Sequence, residues 1–321
     1  MSNILITAIG SFSGNTVIKE LKKNGHFIIG CDIHPEKWIM ESNEVDIFVQ
    51  APYYSSENYV EFIQKICKEN KIEFVFPLTD PEVEILSKYK EKFKIMGITV
   101  CTSDTKTISL CKDKYTLYTY LKQNKLCNTI ETYLLSEINI EEYTFPLFSK
   151  PRNGRSSENC MVINDRIDYE YLCKKDTEQK FIVQPYIKGM VITVDVVRNC
   201  VSNKIECVAR RELIRTKSGA GITVEIIKNN KLEKICIDIA NSLNIIGAVN
   251  MEFIESDNGE YYFLEVNPRF SAGIAFTETA GYPIVMQHLN CFINNKDFIN
   301  VNINKLLICK KYEEHIIENI L

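Results

Sequence analysis

Glu252 and Glu265 are the residues of this 321-residue chain whose placement first suggests chemistry. The turn signal Asp257-Asn258-Gly259 lies between them and joins two apolar runs, so a hairpin would set the two carboxylates side by side. Asn267 shares the face of Glu265, because strand side chains alternate with period two. Two carboxylates and an amide oxygen on one sheet face form a hard-oxygen set suited to magnesium, which completes its shell with water and phosphate oxygens. Scattered acids on a solvated hairpin would read similarly, but Glu265 stands inside Tyr-Tyr-Phe-Leu-Glu-Val, where an unpaired charge is costly to bury. Upstream, Arg210, Arg211, Arg215 and Lys217 cluster just before Ser218-Gly219-Ala220-Gly221. Such a cluster suits a carboxylate and its acyl phosphate held by bidentate contact, and equally a basic strand edge facing solvent. At the start of the chain Gly10 and Gly14 follow a strand pattern, and Asp32 ends the next one. This partly matches a dinucleotide fingerprint, but the G-x-G-x-x-G spacing is absent, so an NAD-dependent oxidoreductase is the weaker alternative.

The elements that must carry these residues follow from periodicity. Asn3 to Ala8 and Phe27 to Asp32 read as buried parallel strands around a helix bearing Val17, Ile18 and Leu21. Strands at 47–49, 74–76 and 99–100 alternate with helices at about 58–69 and 81–91, the pattern of a small doubly wound parallel sheet. Lys112 to Lys125 has helical spacing. Beyond it come β-rich segments at 145–150, 181–184, 192–197, 206–209, 251–254 and 261–266, interrupted by a helix at about 231–243. The fold class is therefore α/β followed by α+β with antiparallel sheets. The tail after about 292 carries no feature with a chemical reading.

Composition bounds the rest. With 45% hydrophobic and 25% charged residues the chain is globular, and a formal charge of -4 gives no field for a polyanion, so nucleic acid is not an expected partner. The twelve Cys are scattered without disulfide-framework or metal spacing, and four His leave a zinc site little to draw on. No signal-peptide pattern opens the chain and no apolar run reaches spanning length, so a cytoplasmic location and no membrane partner are expected.

Glu252, Glu265, Asn267 and Arg269, and above all the run Glu-Val-Asn-Pro-Arg, resemble the metal-binding end of the ATP-grasp superfamily. The resemblance implies a Rossmann-like pre-ATP-grasp domain over 1–106, a two-lobed ATP-grasp domain over 107–292 with its small lobe at about 115–188, and a tail over 293–321. It implies that Glu252, Glu265 and Asn267 hold magnesium or manganese on ATP, and that Arg269 stabilises charge on the transferring phosphoryl group or the acid substrate. Lys114 and Lys150 would contact phosphate, with a loop from Pro151 to Ser157 folding over it through Arg155 and Ser156. Gln184, Pro185, Tyr186 and Ile187 would form the hinge that receives adenine. Pro185 removes one backbone donor there, and Val191 stands where relatives commonly place a ribose-binding Glu. The segment from Arg210 to Val224 resembles the carbamoyl-phosphate-synthetase-like branch, with Lys217 at a phosphate-contacting position and Arg215 beside it. The activity implied is an ATP-dependent carboxylate-amine ligase that forms an acyl phosphate, with small-molecule carboxylate and amine substrates; homodimers are common among relatives. A non-catalytic nucleotide-binding protein is the other alternative, and neither substrate is legible.

Overall fold

The computed structural model describes residues 1–154, 158–176, 178, 180–293 and 296–317. Its first unit runs β1 (Asn3–Thr7), α1 (Gly14–Lys23), β2 (Phe27–Asp32), β3 (Ile47–Gln50), α2 (Tyr59–Glu69), β4 (Phe74–Pro77), α3 (Asp80–Lys88), α4 (Lys90–Ile95) and β5 (Thr99–Val100). The five strands pair in parallel in the order β3-β2-β1-β4-β5. Helices cover both faces, which is why β1 and β2 are near-continuous apolar runs. The strand order reverses between β1 and β4, so the open crevice of this sheet lies at their carboxyl ends.

The helix expected at 81–91 is split at Tyr89 into α3 and α4, where the Tyr89 N–H bonds Leu86 O, three residues back. The helical spacing of 112–125 belongs to two helices, α5 (Thr105–Lys112) and α6 (Lys114–Gln123). Asp113 divides them, because its carboxylate accepts the N–H groups of Tyr115 and Thr116 and so caps α6.

The remaining elements are β6 (Asn128–Thr129), β7 (Tyr133–Leu134), β8 (Leu147–Pro151), β9 (Met161–Ile163), α7 (Arg166–Lys175) and β10 (Phe181–Pro185). They continue with β11 (Gly189–Asn199), β12 (Lys204–Arg215), β13 (Gly221–Ile227), α8 (Asn230–Ser242), β14 (Gly247–Ser256) and β15 (Tyr261–Asn267). Last come α9 (Ile274–Thr279), α10 (Ile284–Asn290) and β16 (Leu307–Cys309). A small sheet has the order β7-β10-β8-β9, and a large one the order β16-β13-β12-β11-β14-β15-β6. The strand expected from Phe145 begins at Leu147, since Pro146 has no N–H to give a ladder. Residues 221–227, assigned no element from sequence, form a strand, and the tail that carried no reading adds β16 to its edge.

The large sheet is two-sided. Ile192, Val194, Ala209, Val249 and Met251 face α8, whose Leu232, Cys236, Ile239 and Ala240 recur at helical spacing. The alternate residues of the same strands include Thr193, Arg210, Glu252 and Glu265, which the register aligns in one row across β12, β11, β14 and β15. Further along this second face an apolar cluster joins the sheet to the first unit, packing Ile4, Ile18 and Phe76 with Val197, Phe276 and Leu289. The polar row is thus left at the edge of a core, facing a cleft.

Candidate active site

The cleft is a cavity of about 560 Å³ between the small sheet, the polar face of the large sheet and the crevice of the parallel sheet. Glu252 and Glu265 are directly opposed across the β14–β15 pair, as the hairpin reading required, and Gly259 makes the turn at φ +78°. Burial pushes the Glu252 carboxyl up, and the neighbouring charge of Glu265 adds to it. Burial acts the same way on Glu265, but the charges of Lys114 and Lys150 and the amide of Asn267 outweigh it and hold that carboxyl below its ordinary value. Asn267 Nδ2 donates to Glu265 Oε1 at 3.0 Å, which turns its own amide oxygen away from that carboxylate.

The cations arrive from separate elements. Lys114 is the first residue of α6, and its Nζ lies 3.5 Å from Glu265 Oε2 and 2.6 Å from Gly154 O. Lys150 stands on β8, on the face that carries Phe148 and turns toward the cleft, and its Nζ donates to Leu264 O at 3.3 Å. Burial pushes the Lys150 ammonium down, and the charge of Glu265 opposes that. Arg152, at the start of the loop, instead clamps Asp113 with Nε at 2.8 Å from both carboxylate oxygens, tying the loop to the cap of α6.

The four cations of 210–217 do not act as one group. Arg210 is fully buried against Asp195 and Glu212, and Arg211 pairs with Glu225 and Glu255 on the opposite face. Arg215 reaches the cleft because the β12–β13 ladder shifts register twice between Glu212 and Arg215. This turns Ile214 outward, and Arg215 Nη2 then bonds Glu252 Oε2 at 3.0 Å. Lys217 is exposed and does not line the cavity. Arg269 lines it, with Nε on Asp80 Oδ2 at 2.9 Å, so a residue of the first unit orients it. Arg155 and Ser156 lie outside the described residues.

At the other end of the cavity, Gln184 to Ile187 form the wall between β10 and β11. The Gln184 side chain is spent on Thr132, donating from Nε2 to Oγ1 at 2.7 Å, so this stretch has its backbone to offer a ligand. Phe148, Val191, Ile254 and Leu264 give the cavity apolar walls.

Residues 111–273, half of the chain, match the family model of the ATP-grasp domain, and residues 4–101 match that of the PylC-like N-terminal domain. The chain belongs to the ATP-grasp family. A D-alanine–D-alanine ligase of Petrotoga mobilis is 26% identical over 140 residues, 43% of this chain and 45% of that protein. The carbamoyl phosphate synthase large chain of Thermoplasma acidophilum is 24% identical over 296 residues, 85% of this chain and 28% of that one. The chain therefore spans less than half the length of these relatives. A biotin carboxylase of Campylobacter jejuni has the same fold, with a TM-score of 0.77 at 18% identity, over 90% of this chain and 70% of that one.

Within an ATP-grasp chain the N-terminal glycines have a packing explanation. A Cβ on Gly14 would stand 1.7 Å from Ile9 O, so only glycine lets α1 approach β1. Asp32 accepts the N–H groups of Gly10 and His34, which occupies its carboxylate at the sheet's end. The dinucleotide alternative loses its motif. All twelve Cys are free thiols, and among the described residues no helix is long and apolar enough to cross a membrane. The sequence reading missed Asp80, Glu212 and Asn250 on the cavity wall. Asn250 was within reach, since it stands two residues before Glu252 and so on the same strand face. Asp80 and Glu212 had no local signal.

Proposed function

We propose that the protein is an ATP-dependent ligase that activates a carboxylate as an acyl phosphate and passes the acyl group to an amine. The observation that carries this reading is the opposition, within one cavity, of the acceptors Glu252, Glu265 and Asn267 to the ammonium groups of Lys114 and Lys150. Among the described residues no three His, Cys, Asp or Glu gather into a metal site of their own. Two carboxylates and an amide are an incomplete shell, which is the donor set that suits magnesium shared with phosphate oxygens. The residues therefore fit magnesium and ATP. Bound there, magnesium supplies charge neutralisation on the phosphate oxygens.

The chain's own residues account for the remaining work. Lys150 and Lys114 place positive charge beside the phosphates, with little water to screen it at Lys150. The wall from Gln184 to Ile187 seats the base against Phe148 and Leu264, and Arg215 and Arg269 orient the substrate carboxylate. That carboxylate attacks the γ-phosphorus as the bond to ADP breaks. The amine nitrogen then attacks the acyl carbon, phosphate leaves, and the nitrogen gives up a proton. In this reading residues 1–106 and 107–292 are the two domains, and the first supplies Asp80 and the loop after β1 to the substrate end of the cleft.

The test is magnesium-dependent ADP release with pooled carboxylic acids and amines. Glu265→Ala, folded by circular dichroism, is expected to lower it about 100-fold or more, the scale of losing one preorganised electrostatic group. Near-native turnover in that variant would remove the assignment, and ADP release without dependence on any acid would remove the ligase.

A further inference from the structure

Arg210, Asp195 and Glu212 form a buried charged triad beside the cleft, with one more negative than positive formal charge. Arg210 Nη1 bonds Asp195 Oδ2 at 2.6 Å, Nε bonds Glu212 Oε1 at 3.0 Å, and Nη2 bonds Ser271 Oγ at 3.1 Å. Thr277 Oγ1 donates to the same Asp195 oxygen at 2.5 Å. These bonds fix the rotamer of Glu212 from behind. Its second oxygen, Oε2, is buried without a hydrogen-bond partner, and the residue, only 5% exposed, lines the cavity.

A carboxylate oxygen in that position is an acceptor awaiting a donor. Gly221 packs directly against it: a Cβ there would stand 2.2 Å from Oε2, so glycine is what leaves the carboxylate its place. The nearby ammonium of Lys310 is engaged elsewhere, donating to Ala272 O at 3.0 Å and lying over the rings of Phe12 and Phe276. Phosphate and carboxylate groups are repelled by an anionic acceptor. A divalent cation would stand against the Arg210 guanidinium that already holds Oε1. A monovalent nitrogen donor meets neither objection as strongly, and it supplies the missing hydrogen bond.

We infer that Glu212 is the residue that selects a substrate bearing a primary ammonium group, with Oε2 accepting from that group. Arg215 lies three residues further along the same strand and also lines the cavity, so a positive and a negative recognition group stand close together. This pairing matches the two charges of a free amino acid. The inference rests on the ligase reading for the use made of the bound substrate, but not for the binding itself.

Two measurements separate them. In the first, thermal stabilisation of the full-length protein is recorded with each of the twenty amino acids, with the corresponding decarboxylated amines, and with their N-acetyl counterparts. At least one ammonium compound is expected to stabilise the native chain while its N-acetyl form does not. Glu212→Gln, which keeps an acceptor for Arg210, should weaken that binding about tenfold or more, as for a lost hydrogen bond to a charged group. Gly221→Ala, which leaves all charges in place, should weaken it as well and guards against a misfolded Gln variant. Equal stabilisation by the N-acetyl forms, no stabilisation by any compound, or unchanged binding in both variants would overturn the inference. So would loss of manganese binding in Glu212→Gln with ammonium binding intact. In the second, hydroxylamine replaces the amine and traps an acyl phosphate as hydroxamate from ATP and the pooled acids. Hydroxamate with Glu212-independent ammonium binding would sink the subsite and keep the ligase; the converse result would do the reverse.

Discussion

At the scale of single residues, two lysines to which the family resemblance gives the same phosphate-contacting role are separated by position. Lys150 is 6% exposed on the cavity wall, close enough to Glu265 for the two charges to act on each other. Lys217 is exposed, off that wall. A charge held away from water acts at low dielectric, whereas an exposed one is screened. Lys150→Met is therefore expected to lower kcat/KM for ATP by about 100-fold, the scale of a lost electrostatic contact to the transferring group. Lys217→Ala should change it by no more than about 3-fold, in line with the small worth of exposed charges. Steady-state ADP release in the two variants checks this, and a larger loss at Lys217 would mean that its strand end closes onto the ligand.

At the scale of elements, the cleft depends on close packing that leaves no room for a methyl group. The loop after β1 presents Ser11 and Ser13 to the cavity because α1 starts immediately against the end of the strand. That approach is set by Gly14, whose added Cβ would meet Ile9 O at 1.7 Å. Gly14→Ala must shift backbone against backbone, so it is expected to destabilise the protein by about 3 kcal/mol or more. Urea denaturation followed by circular dichroism measures it, and a loss under about 1 kcal/mol would show that α1 can slide. The register shifts in β12 act on the same principle from the other side. By moving two residues out of the ladder they turn Arg215 rather than Ile214 toward Glu252.

At the scale of the whole molecule, the two units share a core, and His288 sits in the seam. Its ring packs against Phe76 of the parallel sheet and against Phe270 and Phe292, and Nδ1 accepts the N–H of Ala248 at 2.8 Å. Burial pushes this imidazole down to about 3, from an unfolded value of 6.5. Below pH 6.5 the unfolded chain takes up a proton that the folded chain refuses, so His288 removes stability as pH falls, at about 1.4 kcal/mol per pH unit. Glu278 works in the opposite sense. Burial pushes its carboxyl up to about 7, so the folded chain gains a proton first and gains stability as pH falls toward 4.5. The two offset each other in the native chain. His288→Gln, which keeps an acceptor for Ala248, is expected to gain about 1.4 kcal/mol per pH unit relative to the native protein between pH 6.5 and 5. Denaturation midpoints at pH 7.5 and 5 read the difference, and parallel curves would mean that His288 titrates normally.

The sequence by itself determined what depends on short-range pattern. The hairpin around Asp257-Asn258-Gly259 was legible because it pairs neighbours in the chain, although setting Glu252 opposite Glu265 also took a register shift between Glu252 and Phe253 that alternation does not announce. The parallel sheet was legible for the same reason, as buried strands and amphipathic helices repeat a local code. Tertiary structure decided everything that required distant segments to meet. Arg210 and Arg211 are adjacent in sequence yet lie on opposite faces, one closing a buried triad and the other facing outward ion pairs. Asp80 reaches Arg269 across 189 positions, and β16 joins an edge whose own strand had no strong pattern. Whether a charged residue becomes a ligand contact or a structural counter-ion depends on which partner the fold delivers to it. That is settled by packing and desolvation over the whole chain, which no window of local periodicity contains.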